Sequence, residues 1–199
     1  EALSVMAQEG PMEVISGHLI PALDEVGRRY ETGEFFLPQL MEAAEAASAV
    51  CRLAEEELLR RGHSASRGTV VLATVEGDLH DLGKNVVGTV LKSHGYRVVD
   101  LGKDVKAEVI LEAAQREGAQ VVGLSALMTS TVPRMREFIE EARRRGAGFK
   151  VIVGGAAVSP AYARSIGADG MSYDAVGAAR LVERLLSGLP CDWEGLGCS

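Results

Sequence analysis

Hydrophobic positions in the first third of the chain recur with the spacing of an amphipathic helix. From Pro11 onwards, apolar residues follow at intervals of three or four, which places them on one helical stripe: Val14, Ile15, Leu19, Ile20, Leu23 and Val26. Thr32 and Gly33 interrupt this pattern, and an alanine-rich stretch from about Leu37 predicts a second helix. Residues 1–10 leave room for only a short third helix. The pattern therefore predicts a helical domain over residues 1–65.

The pattern changes after the polar, glycine-bearing segment RRGHSASRG. Five short apolar runs follow, and helix-like stretches such as residues 108–117 and 134–145 separate them: TVVLATV, YRVVDLG, QVVGLSA, FKVIVGG and ADGMSY. Continuous apolar strands that alternate with helices are typical of a parallel sheet covered on both faces. We predict an α/β fold for residues 66–199, with a five-stranded parallel, doubly wound sheet of the Rossmann-like or flavodoxin-like kind, preceded by a helical bundle.

Composition and charge narrow the possible partners. The chain has 199 residues, of which 47% are hydrophobic and 25% charged, as in ordinary globular proteins. Its net charge of −7 provides no basic surface, so we expect neither nucleic acid nor an anionic membrane as a partner. The 3 cysteines form no CxxC pair, which favours a reducing compartment. With no signal-peptide pattern and no apolar run of about 18 residues, a cytoplasmic location is expected.

Candidate chemistry lies where the predicted strands end. Ligands of doubly wound sheets bind at the carboxyl ends of the strands. This rule selects the loops of residues 76–83, 125–131 and 154–159, which follow the first, third and fourth strands. We expect these three loops to face one another across one edge of the sheet.

Three kinds of phosphate-related site do not match the spacing or the residues of this chain. In GDLHDLGKN, 5 residues separate Gly77 from Gly83 and Asn85 follows Lys84, whereas a Walker loop has a shorter gap and a serine or threonine there. No GxGxxG opens the first helix of the α/β domain. A phosphoacceptor receiver domain would need an aspartate at the end of the third strand, where this chain has Ser125.

His80 is the candidate metal ligand of the first loop. The strand-end loops contain no second histidine or cysteine, so a zinc site made by protein side chains alone is not expected. Asp78 precedes His80 by two positions, and a carboxylate bonded to one ring nitrogen fixes the tautomer and makes the other nitrogen a better ligand. This arrangement suits an axial ligand for a metal already held in a macrocycle. The alternative is a structural or solvated histidine.

Glycines and hydroxyls at the other two loops fit an extended ligand. Gly154 and Gly155 lack side chains, so a bulky group could lie against the backbone, although an ordinary turn also explains them. Ser125, Thr129 and Thr131 could donate hydrogen bonds to a buried polar tail, or could cap the following helix.

Together these residues resemble the cobalamin-binding domain of corrinoid methyltransferases. The family pattern is DxHxxG, then SxL, then GG. This chain has DLHDLG at residues 78–83, SAL at 125–127 and GG at 154–155, and the gaps between them have the family's lengths. Upstream, LIPALDEVGRRYETGEFFLPQLMEAAEA resembles the helical cap that precedes this domain in the family. The resemblance covers nearly the whole chain.

The resemblance implies specific roles for residues of this chain. It implies that cobalamin binds with its lower base displaced, its nucleotide tail buried in the α/β domain and His80 ligating cobalt. Asp78 and Ser125 match a hydrogen-bonded relay to that histidine, so the three are the implied catalytic residues. In the cap, Tyr30 and Leu37 match residues that cover the reactive face of the cofactor. The other implied cofactor contacts are Gly77, Leu79, Asp81, Gly83, Leu127, Thr129, Gly154, Gly155 and Ala175.

The family also implies a function. The cofactor alternates between methylcobalamin and cob(I)alamin, so the chain would be a methyl carrier, the cobalamin-binding component of a methyltransferase that needs methyl-donor and methyl-acceptor domains or subunits and a reductive reactivation partner. LIPALDEVG and GLSALMTSTVPRM are most similar to methionine synthase, which moves a methyl group from methyltetrahydrofolate to homocysteine through folate and homocysteine barrels. GGAAVSPAYARSIGADGMSYDA equally resembles a free-standing corrinoid protein of a methanol, methylamine or aryl-ether methyltransferase system. An alternative of another class is a cobalamin-dependent light sensor.

Overall fold

A computed structural model describes residues 2–60 and 66–193 of the chain. Two compact units are distinguished: a helical unit, Glu1–Arg67 with Thr89–Arg97, and an α/β unit, Gly68–Gly88 with Val98–Ser199. The predicted domain boundary between residues 65 and 66 borders residues 61–65, which lie outside the described residues. That boundary stays a prediction.

The helical unit consists of short and long helices around a small core. They are α1 (Ala2–Glu9), α2 (Pro11–Glu13), a π-helical segment (Val14–Leu19), α3 (Ile20–Glu31) and α4 (Leu37–Arg60). The π-helical segment ends two residues before Pro21, whose ring would clash with the carbonyl four residues earlier in a regular α-helix. The buried core contains one residue of α1, two of the predicted stripe and two of α4: Met6, Val14, Ile15, Cys51 and Ala54.

The part of the chain from Thr69 to Leu186 contains the predicted alternation of strands and helices. The strands are β1 (Thr69–Thr74), β2 (Arg97–Asp100), β3 (Val121–Ser125), β4 (Lys150–Gly154) and β5 (Gly170–Ser172). The helices are α5 (Leu82–Ser93), α6 (Ala107–Arg116), α7 (Pro133–Arg144), α8 (Pro160–Ser165) and α9 (Ala175–Leu186). The sheet order is β2-β1-β3-β4-β5, and β1, β3, β4 and β5 pair in parallel. The predicted five-stranded doubly wound fold is confirmed.

The two faces of the sheet differ in character. On one face, alternate apolar residues of β1, β3 and β4 form the main core with residues of α6 and α7: Val71, Ala73, Val122, Leu124, Val151, Val153, Ile110, Leu111, Met135, Phe138 and Ile139. On the other face, a Cβ added at Gly123 would lie 2.6 Å from the Leu72 side chain, so Leu72 covers this glycine. That face ends in a row of four residues in register, Thr74, Ser125, Gly154 and Ser172, which we call the strand-end row.

Among the described residues, every helix is too short or too polar to span a lipid bilayer. The expected cytoplasmic location stays a prediction.

Candidate functional site

Asp78 is the centre of the candidate site. Its side chain is fully buried in the turn after β1, where its backbone N–H donates to the carbonyl of Val75 at 3.1 Å. One carboxylate oxygen, Oδ1, accepts from the backbone N–H of His80 at 3.0 Å and from the ring Nδ1 of the same residue at 2.9 Å. The other, Oδ2, accepts from Leu127 N at 2.7 Å, Met128 N at 3.1 Å and Thr131 Oγ1 at 2.8 Å. The carboxylate thus joins the loops after β1 and β3.

These hydrogen bonds keep Asp78 ionised. Burial alone would raise the pKa of this carboxyl group, because a low-dielectric site disfavours the charge. The hydrogen bonds from His80 N, Leu127 N, the Thr131 hydroxyl and the His80 ring outweigh burial and hold the pKa well below its usual range. Asp78 is therefore a buried, fixed negative charge at neutral pH.

The Asp78 carboxylate determines the tautomer of His80. An ionised carboxylate only accepts hydrogen bonds, so Nδ1 must carry the proton that it donates to Asp78. In the neutral ring this leaves Nε2 unprotonated, with its lone pair available to a metal. The His80 side chain is 53% exposed, whereas that of Asp78 is inaccessible. An accessible imidazole on a buried carboxylate is an arrangement that suits a single protein ligand to a metal.

The hydroxyl that contacts Asp78 belongs to Thr131, not to Ser125. The predicted relay from Asp78 to Ser125 is corrected on this point. The chain turns after β3, where Thr131 N donates to Met128 O at 3.0 Å, and this turn brings Thr131 back to the carboxylate. Ser125 lies in the strand-end row, and its backbone carbonyl accepts from Val75 N at 3.1 Å. A role of Ser125 in contacting a cofactor stays a prediction.

A loop that sequence reasoning missed supports the site from the other side. Asp104, in the loop after β2, accepts from Gly77 N through Oδ1 at 2.7 Å, and its own N–H donates to Asp78 O at 3.1 Å. Its φ of 56° is left-handed, a conformation that aspartate tolerates better than most residues. The strand-end rule, applied to the second strand as well, would have selected this loop.

Lys84 has a structural partner in the first turn of α5. Its side chain is nearly inaccessible, and its ammonium donates to both carboxylate oxygens of Asp100, at 2.5 and 2.6 Å, and to Asn85 Oδ1 at 2.8 Å. Asp100 ends β2, so this ion pair ties the start of α5 to the neighbouring strand. The lysine of GDLHDLGKN is thus engaged by a carboxylate, which agrees with the exclusion of a phosphate loop.

The remaining predicted contacts of the α/β unit lie in loops that follow strands or in the first turns of helices. Leu79 and Leu127 are exposed although apolar, as are Leu82 and Met128, so both the segment around His80 and the loop after β3 present apolar surface. Asp81 is half-buried, Thr129 is exposed, and the space beside Gly83 is open within 4 Å. Ala175 is buried at the start of α9, whose preceding residue Asp174 caps it by accepting from Gly177 N at 2.7 Å.

A side chain would be disfavoured at Gly154 and at Gly155 for two different structural reasons. Gly155 has a φ of +120°, and a Cβ there would lie 2.1 Å from the carbonyl oxygen of Ala126, so the backbones of two loops approach where only glycine fits. At Gly154 a Cβ would lie 3.1 Å from Ser172 O, a closer contact than most residues make. Close backbone approach accounts for Gly155 without any ligand. The predicted cofactor contacts at both positions stay predictions.

Tyr30 and Leu37 belong to the helical unit. Tyr30 is half-buried near the end of α3, and Leu37, the first residue of α4, is 41% exposed beside the exposed Phe36. Their predicted role over the cofactor stays a prediction. Within residues 2–60 and 66–193, no group of three histidine, cysteine, aspartate or glutamate side chains is placed to hold a metal ion.

Comparison with protein families gives two matches that together span most of the chain. A B12 binding domain family matches residues 68–183, and a second B12 binding domain family matches residues 1–55. The chain is 39% identical over 179 residues to a corrinoid protein of Desulfitobacterium hafniense (strain Y51), covering 88% of this chain and 83% of that protein. It is 41% identical over 180 residues to dimethylamine corrinoid protein 1 of Methanosarcina acetivorans, covering 89% and 84%.

Solved structures of similar proteins have the same fold. A cobalamin-binding protein from Desulfitobacterium hafniense DCB-2 superposes with a TM-score of 0.77 at 32% identity, covering 92% of this chain and 88% of that one. The methanol:cobalamin methyltransferase complex MtaBC from Methanosarcina barkeri gives a TM-score of 0.74 at 31% identity, covering 94% and 72%.

These relatives favour one of the two methyl-carrier interpretations of the sequence, methionine synthase or a corrinoid protein, over the other. Those named above are corrinoid or cobalamin-binding proteins, one of them in a methanol system and one a dimethylamine corrinoid protein. They favour the corrinoid-protein alternative, whereas methionine synthase, its folate and homocysteine partners and a role in methionine biosynthesis find no support. The chain belongs to the B12 binding domain family, as a cobalamin-binding module of the kind found in corrinoid-dependent methyltransferase systems.

Proposed function

We propose that the chain is a corrinoid methyl carrier that works with a substrate:corrinoid methyltransferase, and that His80 is the axial ligand of its cobalt. The observation that carries the proposal is the exposed His80 ring held through Nδ1 by a buried, ionised Asp78. The relatives support a carrier of this kind, because the proteins that the chain matches over more than four-fifths of their own length are named corrinoid proteins.

The site fits one protein ligand to a metal held in a macrocycle. Nε2 of His80 is the coordinating nitrogen, and the exposed Leu79 and Leu127 on the two loops offer apolar surface for a large, largely apolar ring. Bound cobalamin supplies a cobalt centre that accepts a methyl group from one partner and gives it to another. The protein contributes the orientation of the His80 ring and the negative charge of the Asp78 carboxylate that accepts from it.

Asp78 fixes the tautomer and the orientation of the His80 ring. The carboxylate accepts from Nδ1 and keeps Nε2 available as a ligand. Burial would raise the pKa of Asp78, but its hydrogen bonds hold the pKa well below its usual range, so the carboxylate keeps a negative charge beside the ring at neutral pH. Thr131, Leu127 and Met128 hold the carboxylate in place.

The proposed partner is a methyltransferase subunit that takes a methyl group from a small methylated amine or alcohol. The names of similar proteins refer to such substrates: dimethylamine corrinoid proteins, a monomethylamine corrinoid protein and the methanol:cobalamin methyltransferase complex. A reductive reactivation partner is part of the same proposal, because oxidised cobalt must be reduced before it accepts a methyl group.

The proposal predicts that His80→Ala removes cobalt ligation and leaves the fold intact. His80 is exposed and lies outside the buried cores, so its ring contributes little to stability. The chain would be incubated with hydroxocobalamin and desalted, and its visible absorption spectrum compared with that of the variant. We expect the wild type to retain cobalamin with a ligand-dependent spectrum that His80→Ala lacks.

His18→Ala is the matched control, because His18 is also exposed and also pairs with a carboxylate, that of Glu9 at 2.7 Å. Its spectrum is expected to match the wild type. Identical spectra of wild type and His80→Ala would contradict the ligand assignment, and failure of the wild type to retain cobalamin would contradict the carrier function.

A further inference from the structure

Thr74 has a buried hydroxyl that the fold does not use. It is the last residue of β1 and is 0% exposed. Its backbone is fully paired, since its N–H donates to Gly102 O at 3.0 Å and its carbonyl accepts from Val105 N at 3.1 Å. Its side-chain oxygen, however, has no hydrogen-bond partner among the described residues. Buried polar side-chain atoms are nearly always paired, so this one calls for an explanation.

The Thr74 hydroxyl stands among apolar neighbours in β1. The strand otherwise buries apolar side chains, from Val70 through Ala73, and Val75 follows. Valine has the same branched shape as threonine and would fill this position without a polar atom. Packing of the strand therefore gives no reason for the hydroxyl at this position.

Thr74 begins the strand-end row. Ser125 is its partner in register on β3, Gly154 follows on β4 and Ser172 on β5. Residues in register on parallel strands share a face, so hydroxyls and bare backbone line one edge of this face. The Ser172 hydroxyl is occupied, because it donates to Asp174 O at 2.8 Å. The Thr74 hydroxyl is thus a buried hydrogen-bonding group in a polar row.

We infer that the Thr74 hydroxyl is a positioning group that hydrogen-bonds to the buried nucleotide tail of bound cobalamin. The inference rests on the proposed function. Thr74 lies four positions before Asp78 on the same strand-end segment, and the row contains Ser125 and Gly154, which the sequence predicts to contact the cofactor. A threonine hydroxyl both donates and accepts, so it suits the phosphate, sugar or base nitrogen of such a tail.

The inference predicts effects of opposite sign in the empty and the loaded protein. In the chain without cofactor, Thr74→Val removes an unpaired polar group at constant shape, so the urea midpoint of unfolding is expected to stay the same or rise. In the loaded chain the same change removes a hydrogen bond to the tail, and the affinity for cobalamin is expected to fall about tenfold. Thr74→Ser keeps the hydroxyl and is expected to retain the affinity.

Cobinamide, which has the corrin ring but no nucleotide tail, separates tail contacts from ring contacts. Dissociation constants of both corrinoids would be measured by titration for wild type, Thr74→Val and Thr74→Ser. We expect Thr74→Val to weaken cobalamin and to leave cobinamide unchanged. Thr69→Val, the same substitution at the opposite end of β1, is the matched control and is expected to change neither affinity.

Each contrary outcome has a distinct meaning. Unchanged cobalamin affinity in Thr74→Val, with the wild type binding normally, overturns the inference and leaves the carrier function standing. Equal weakening of cobalamin and cobinamide also overturns it, because the effect then does not involve the tail. A lower urea midpoint of empty Thr74→Val also overturns the inference, because the hydroxyl would then have a hydrogen-bond partner in the empty fold. Failure of the wild type to bind either corrinoid overturns the inference and the proposed function together.

Discussion

Asp78→Asn is expected to lower the free energy of unfolding by about 3 kcal/mol at neutral pH, although the two side chains have nearly the same shape. The carboxylate accepts hydrogen bonds on both oxygens, from His80 on one and from Leu127, Met128 and Thr131 on the other. Asparagine has one oxygen and one NH₂ group, so in either orientation a donor faces buried donors. We expect the variant also to lose the fixed tautomer of His80.

The unfolding free energy lost in Asp78→Asn is expected to become smaller at low pH. The pKa of Asp78 is lowered in the folded chain, so its contribution to stability is fully present above the unfolded pKa of about 3.9 and is lost as the pH falls towards the folded pKa. Asparagine does not titrate. The difference in unfolding free energy between wild type and Asp78→Asn should therefore be constant above about pH 5 and shrink below about pH 4.

Urea unfolding curves of the empty chain at several pH values measure both effects. Asp81→Asn is the matched control, since it removes the same charge from the same loop at a half-buried position. We expect it to change the unfolding free energy by less than about 0.5 kcal/mol. Equal stability of the two variants would contradict the central role of Asp78, and a difference that grows at low pH would contradict its lowered pKa.

Gly155→Ala is expected to destabilise the α/β unit by about 3 kcal/mol or more, without touching any group with metal or acid–base chemistry. A Cβ at Gly155 would lie 2.1 Å from the carbonyl oxygen of Ala126, and the φ of +120° is unfavourable for any residue with a side chain. The neighbouring oxygen belongs to the backbone, which is held by the hydrogen bond from Ala126 N to Gly154 O at 3.1 Å. The loops after β3 and β4 would have to separate.

Gly148→Ala is the control for Gly155→Ala. The space beside Gly148 is open within 4 Å, and the residue stands in the loop before β4. Thermal and urea unfolding of the two variants would be compared with the wild type, and only Gly155→Ala is expected to lose stability. Similar stability of both variants would show that the two loops move apart easily.

Most of the fold could be predicted from the periodicity of apolar residues. The predicted helices of residues 108–117 and 134–145 differ from α6 and α7 by one residue at each end. The π-helical segment before Pro21 was not foreseen, because a proline near the start of a helix is compatible with ordinary helical geometry. Apolar periodicity reports which face of an element is buried but does not record the local hydrogen-bond pattern.

The candidate site was predictable in part, because the Asp78–His80 pair is local. Two positions separate these residues, so the turn that joins them follows from the sequence. The third member is not local: Thr131 lies 53 residues beyond Asp78, and the turn after β3 decides that its hydroxyl, rather than that of Ser125, reaches the carboxylate. Asp100 ends β2 and Asp104 lies in the loop that follows, so the contacts of both depend on the position of β2 beside β1 in the sheet.

The most direct test of the account is electron paramagnetic resonance of the cobalamin-loaded chain, reduced to its paramagnetic cobalt(II) form and carrying ¹⁵N-labelled histidine with unlabelled cofactor. A histidine nitrogen on cobalt splits each line into a doublet in the labelled protein and into a triplet in the unlabelled one, because the two nitrogen isotopes differ in nuclear spin. We expect this change in the wild type and its loss in His80→Ala. A triplet in both labelled and unlabelled wild type would show that the axial nitrogen comes from the cofactor, and would contradict ligation by His80.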